Sequence, residues 1–241
     1  WLKPCWLKHI GVGLIHRCRS SRMALSPAQP RVDEGVVAGR ARHVLLSLGF
    51  AVTGLLWARL PGSVDDDGSK MDGKSLSEMS GKDFAHFVWR AAFSAFGGSE
   101  DVVLVLALGG RDGALDGLSV PANCLPFAAV PQLEVLPICS AFITHGGMGS
   151  VMESIVHRVP MVVVPVFGDQ PNNADSVHNA GLGIGFRHPL RTLSAASLGQ
   201  AAAALLADPS PHRTAVESAA ERMAAMGGAA RAMELILEVT K

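Results

Sequence analysis

Ala141-Phe142-Ile143-Thr144-His145-Gly146-Gly147-Met148-Gly149-Ser150-Val151-Met152-Glu153-Ser154 passes from a short apolar run, through a polar turn with three closely spaced glycines, into an amphipathic segment. That order predicts a buried strand, a tight turn and a helix. Glycines let the backbone approach a ligand closely. The first N–H groups of the helix, which have no partners within it, point toward that ligand with the positive end of the helix dipole. A diphosphate is the natural guest of such a turn. His145 adds a side-chain donor and Ser150 a hydroxyl, while Glu153 falls three residues beyond Ser150 on the same helix face, where a carboxylate accepts ribose hydroxyls.

On either side the pattern repeats. Short apolar runs at His43–Leu48, Val102–Leu108, Cys124–Ala129, Met161–Val164 and Gly183–Phe186 predict buried strands beside Ala141–Thr144. Helical periodicity is carried by Lys82–Phe96, Gly147–His157, Gln170–Ala180, Ala195–Leu206, Arg213–Met226 and Ala229–Val239, and in the last two Ala219, Met223, Met226 and Met233 read as packing surfaces rather than a cofactor box. In Lys82–Phe96 the apolar side is Phe84, Phe87, Val88, Ala91, Ala92 and Ala95, and Lys82, His86 and Arg90 fall opposite. This alternation predicts an α/β fold, a Rossmann-like doubly wound parallel sheet whose ligands bind where the chain leaves the carboxyl ends of the strands. Pro61–Gly81, rich in Asp, Ser, Gly and Lys, reads as a solvent-exposed loop. Residues 1–39 have no sustained period and read as an irregular segment or remnant of a linker, leaving 40–241 as the ligand-binding domain.

Bulk properties narrow the partners. With 21 basic and 21 acidic residues the chain has no net charge, which gives no reason to expect nucleic acid or an anionic membrane. The apolar run Val44–Trp57 is shorter than the roughly 20 residues of a membrane-spanning helix and is interrupted by Gly49 and Gly54. Cys5, Cys18, Cys124 and Cys139 are scattered without a CxxC pair, so a reducing, cytoplasmic setting is expected rather than a zinc site or a disulfide framework. Asp65-Asp66-Asp67 beside Gly68 reads as a solvated loop, so no metal is expected.

Thr144-His145-Gly146-Gly147, the Ser150-to-Glu153 spacing, Val159-Pro160-Met161 and Asp169-Gln170 after a further apolar strand together resemble the donor-binding signature of UDP-dependent glycosyltransferases, nearest the macrolide and sterol type. The likeness reaches upstream to Val130-Pro131-Gln132 and Val135-Leu136, and more loosely to Leu46-Ser47-Leu48-Gly49. It implies the carboxyl-terminal lobe of a B-type glycosyltransferase fold, transferring a hexose from a UDP-sugar to an acceptor hydroxyl with inversion. His145, Gly146, Gly147, Gly149 and Ser150 would hold the donor diphosphate, Glu153 the ribose, and Gln132 and Val130 the uridine. Asp169 and Gln170 would hydrogen-bond the sugar. The UDP-sugar is then a substrate, and no cofactor is implied.

Each of these residues also has a plainer reading. His145 fits a capped turn, Glu153 a solvent-facing helix carboxylate, Asp169 a helix N-cap, and Gln132 a buried loop glutamine. The sequence also departs from the resemblance. Ala128-Ala129-Val130 stands where many relatives have an aromatic residue before Pro-Gln, Gly149 where they often have Asn, and Phe50 where Thr or Ser often follows Leu-Gly. The family places its acceptor pocket and its base histidine in an amino-terminal domain. That domain, in the same or another chain, is an implied partner, together with a small-molecule or lipid acceptor. His9, His16, His43, His86, His157, His178, His188 and His212 lack a carboxylate partner at motif spacing, so no catalytic residue is assigned. The competing class is a non-catalytic nucleotide-sugar-binding module or subunit. Trp1 is not a normal start, so further chain is expected ahead of it.

Overall fold

A computed structural model of the chain describes residues 42–61 and 67–240. Of two compact units, Trp1–Arg31 and Val32–Lys241, the first lies wholly outside the described residues, as does the expected irregular segment 1–39. The strands, in chain order, are β1 (Arg42–Ser47), a small antiparallel hairpin of β2 (Lys70–Met71) and β3 (Lys74–Ser75), then β4 (Val102–Ala107), β5 (Cys124–Phe127), β6 (Ala141–Thr144), β7 (Met161–Val163) and β8 (Gly183–Gly185). The helices are α1 (Gly81–Phe96), α2 (Gln132–Val135), α3 (Met148–Val156), α4 (Gln170–Asn179), α5 (Pro189–Thr192), α6 (Ala195–Leu206), α7 (Pro211–Ala225) and α8 (Gly228–Val239).

Six strands form one parallel sheet in the order β5-β4-β1-β6-β7-β8. The chain winds outward from β1 to β5, returns to β6 on the other side of β1, and winds outward again. The strand order therefore reverses between β1 and β6, and a crevice opens at their carboxyl ends. Register is fixed there by the pairs Leu46 with Ile143 and Ser47 with Thr144. Leu48-Gly49 and His145-Gly146 consequently leave the sheet side by side.

Because successive strand side chains alternate in direction, the central strands β1, β4, β6 and β7 each feed two cores. Val44, Leu46, Leu104, Leu106, Ile143 and Val162 pack on one face with Phe84, Val88 and Trp89 of α1 and Leu198, Ala202 and Leu205 of α6. Leu45, Val105, Phe142, Met161 and Val163 pack on the other with Val151 and Ile155 of α3, Ala174 and Val177 of α4, and Val216 of α7. Burial on both faces explains why these strands read as continuous apolar runs. The α1 start is closed by a capping box, in which the Asp83 N–H donates to the Ser80 hydroxyl and the Ser80 N–H to the Asp83 carboxylate, both at 3.0 Å.

Three expectations need correction. Pro61–Gly81 is not simply a solvent-exposed loop: it holds the β2–β3 hairpin and sends Leu76 and Met79 into the core, pairs of apolar residues too few to give a periodic signal. His86 is buried, with Nε2 2.8 Å from the Ala114 carbonyl and its ring against Trp57 and Trp89, because the 111–118 connection covers that side of α1. Met226 and Met233, expected to be packing residues, are exposed, whereas Ala219 and Met223 do pack on the core. No helix among the described residues is long and apolar enough to cross a membrane.

Phe142 is fully buried at the centre of the second core. Replacing it with alanine is expected to cost about 3–5 kcal/mol of unfolding free energy, read from the midpoint of a denaturant titration.

Candidate functional site

The site grows from the β1–β6 crevice. His145 sits immediately after β6, and its ring lies against two glycines from different turns. A Cβ on Gly49 would come 2.5 Å from His145 Cε1, and one on Gly147 would come 2.6 Å from Nε2. Gly49 also has φ +74°, a conformation that L side chains rarely adopt. Any side chain at either position would push the imidazole out of its slot.

Burial pushes the His145 pKa down to about 4, outweighing the nearby Asp169 carboxylate and a hydrogen bond with the Ser47 backbone, which both pull it up. The ring is therefore neutral at neutral pH, with one N–H to donate. An arriving anion would favour a second proton.

The turn continues through Gly146, which has φ +81° and packs so tightly on Val163 that a Cβ would lie 2.3 Å from its Cγ1. The Gly146 N–H donates to the Thr144 hydroxyl at 3.3 Å. Helix α3 then begins at Gly147 with no side chain capping it, and the first main-chain bond into it runs from Val151 N–H to the Gly147 carbonyl at 3.1 Å. The N–H groups of Met148, Gly149 and Ser150 are left pointing out of the helix start. A Cβ on Gly149 would meet nothing within 4 Å, so the space beside these donors is open. The contrast with the capped start of α1 is what makes this helix end available to an anion.

Beside it, Gln132 at the start of α2 reaches across to α3. Its Nε2 donates to Glu153 Oε2 at 2.6 Å and to Ser150 Oγ at 3.3 Å, joining three residues expected at the site into one network. Val130 is half-buried against the second core, and Ala129 is exposed.

On the other flank, Asp169 occupies the N-cap position of α4 but makes no side-chain cap bond. Its carboxylate accepts from Asn173 Nδ2 at 2.9 Å instead. Gln170 is buried, and its side-chain oxygen accepts from the backbone N–H groups of Val166 (2.9 Å) and Phe167 (3.2 Å), holding the connection after β7. Only its amide N–H groups remain for a ligand.

The site residues thus form a contiguous arc: the His145–Ser150 turn in the middle, Gln132 and Glu153 on one side, and Asp169 on the other. Sequence reasoning passed over Gly49 as a site residue and missed Asn173 altogether. Asn173 was within reach, because it follows Asp169 by four residues and so shares its helix face.

Elsewhere, Asp67 is not merely solvated: it lies 3.6 Å from His188 Nδ1 and 3.8 Å from Arg191, giving His188 the carboxylate neighbour its sequence context does not show. Asp65 and Asp66 lie outside the described residues. Among the described residues no group of three His, Cys, Asp or Glu side chains could hold a metal ion. Cys124 and Cys139 are free and buried, their thiols pushed up to about 12 by burial.

This geometry has counterparts. Residues 118–219 match the family described as UDP-glucoronosyl and UDP-glucosyl transferase. Oleandomycin glycosyltransferase of Streptomyces antibioticus is 34% identical over 148 residues, covering 61% of this chain and 34% of its own length. An uncharacterized UDP-glucosyltransferase of Bacillus subtilis, YojK, is 33% identical over 141 residues, 58% of this chain and 34% of its own. Among solved structures, the glycotransferase of kitacinnamycin superposes with a TM-score of 0.61 at 28% identity, over 89% of this chain and 46% of that one. Residues 118–219 are thus similar to the UDP-glycosyltransferase family, and the fold is a Rossmann-like α/β lobe like that of these solved glycosyltransferases. The chain spans about a third of the length of these two curated relatives.

The buried neutral His145 links the fold to pH. Its folded pKa, about 4, lies below the unfolded value of 6.5, so its contribution is complete above pH 6.5 and lost as pH falls toward 4. Between pH 7.5 and 4.5 the wild-type chain is expected to lose about 2–3 kcal/mol more stability than His145→Asn, by denaturant melts at both pH values. Parallel losses in the two proteins would show that the ring is not held neutral.

Proposed function

We propose that this chain is the donor-binding half of a glycosyltransferase that moves a hexose from a UDP-sugar to an acceptor hydroxyl. The observation that carries this reading is the uncapped start of α3, whose free N–H groups adjoin the glycine turn and the slotted ring of His145. A diphosphate fits it better than a single phosphate, because the donors extend from His145 over to Ser150. Glu153, held by Gln132, takes the ribose hydroxyls, and the nucleobase lies toward Val130 without an aromatic residue to stack on. Asp169 and the free amide N–H groups of Gln170 face the sugar.

The chemistry follows from where charge appears. As the glycosidic bond breaks, negative charge grows on the departing diphosphate, and fixed N–H donors bind that charge more strongly than they bind the ground state. Neutral His145 has a single N–H, for which the Ser47 backbone and the diphosphate compete, and gaining a proton as the charge develops lets the ring donate to both. The acceptor, a small molecule or a lipid, would be brought by an amino-terminal acceptor domain in the same or another chain, which would also supply the base. The UDP-sugar serves as substrate with no further cofactor, and the free, buried Cys124 and Cys139 suit a reducing, cytoplasmic setting.

Calorimetry tests the reading directly: UDP should bind more tightly than UMP, and UMP more tightly than uridine. His145→Ala should weaken UDP by about 1.5–3 kcal/mol, the scale of a hydrogen bond to a charged group, or roughly ten- to a hundredfold. Equal affinity for uridine and UDP would remove the diphosphate from this turn.

Open space beside Gly149 gives a test of opposite sign. Gly149→Asn adds a side-chain donor at the helix start without a clash, and should tighten UDP binding by about three- to tenfold. A weaker complex in the folded variant would count against the phosphate lying over the first turn of α3.

A further inference from the structure

Asn173 is a polar side chain buried inside a helix, and its amide spans two elements that carry different parts of the proposed ligand. Nδ2 donates to the Gly146 carbonyl at 2.9 Å and to Asp169 Oδ2 at 2.9 Å. The residue is only 7% exposed, so it does not reach solvent to do this.

The bond to Gly146 has a consequence beyond anchoring the turn. In a planar trans peptide the C=O and the following N–H point to opposite sides. Holding the Gly146 carbonyl toward α4 therefore aims the Gly147 N–H away from α4, on the side of the peptide opposite Asn173. Gly146 and Gly147 both lack a Cβ, so the torsions on either side of this peptide are free to turn it over, and the Asn173 bond removes that freedom. The second hydrogen of the same amide does an equivalent job for Asp169. That carboxylate is exposed at the N-cap position and makes no cap bond. A lone exposed carboxylate samples several rotamers, and the bond from Asn173 selects one.

We propose that Asn173 is a positioning residue for the donor, one amide fixing both the direction of the Gly147 N–H and the rotamer of Asp169, and so tying diphosphate recognition to sugar recognition. The proposal rests on the donor-binding reading given above. It predicts that the two halves of the donor are not read independently, although the groups that touch them lie on separate elements.

The test uses the full chain with UDP and UDP-glucose as probes, comparing wild type, Asn173→Ala, Asp169→Ala and the double variant by calorimetry. Asn173→Ala should weaken UDP about tenfold and UDP-glucose by more, so the preference for the sugar-bearing ligand falls. In the Asp169→Ala background the same substitution should still weaken UDP but leave that preference unchanged, because the carboxylate it positions is gone. A purely structural role would lower both affinities together in both backgrounds.

Asn173→Asp, equal in shape but without the donated hydrogens, provides the second variant if alanine does not fold. In ligand-free protein either variant should shift the Gly147 amide resonance. Wild-type UDP affinity with an unmoved Gly147 resonance in a folded variant would overturn the proposal. Failure of the wild-type chain to bind UDP would instead overturn the donor-binding reading, while the Gly147 resonance would still report on the positioning.

Discussion

The pairing of Ser47 with Thr144 across β1 and β6 is the constraint on which the rest of the site depends. It brings two turns from distant parts of the sequence to the same height above the sheet, so that Gly49 and Gly147 both close on the Cε1–Nε2 edge of the His145 ring. A slip of one residue in this register would invert the faces of β6 and carry Phe142 out of its core, so the hydrophobic pattern that stabilises the sheet also fixes the position of the imidazole. The slot is dry enough to hold the ring neutral. The same geometry fixes where α3 starts and leaves its first N–H groups unpaired.

Unsatisfied donors at a helix start carry a cost that the fold avoids at two of its long helices. Ser80 and Ser194 close α1 and α6 with capping boxes. At α3 the corresponding residue is Gly147, which has no side chain with which to do so. The turn exchanges a local cap for space beside three N–H groups, and the surrounding residues hold it in shape: Thr144 from below, Asn173 from α4 and Gln132 from α2.

Much of the fold was legible in the sequence because this sheet is buried on both faces and its helices are amphipathic, two conditions that leave strong periodic signals. Ala141–Thr144 and Ala195–Leu206 fall where their apolar patterns put them. The β2–β3 hairpin was not legible, since two-residue strands are too short to have a period. His86 misled because its partner, the Ala114 carbonyl, comes from a connection 28 residues away, and no local pattern reveals what will cover a helix. At the site, the glycines, His145 and Glu153 were visible because turn chemistry and helix spacing are local. The bond from Gln132 to Glu153 and the occupied oxygen of Gln170 are products of tertiary packing, and they change what those two glutamines have to offer.

The groups around the crevice come from α2, α3, α4 and the turns next to them, whose apolar residues pack on one face of the sheet, while α1 and α6 fill the other face without contributing to the arc. This asymmetry separates stability from recognition. An engineer seeking a more heat-resistant version could vary α1 and α6 by filling gaps, improving surface helix formers or shortening the connection between Gly97 and Asp101, with the recognition layer held constant. Under the donor-binding proposal, natural drift has the same freedom, since changes in the α1–α6 layer leave the groups of the arc in place.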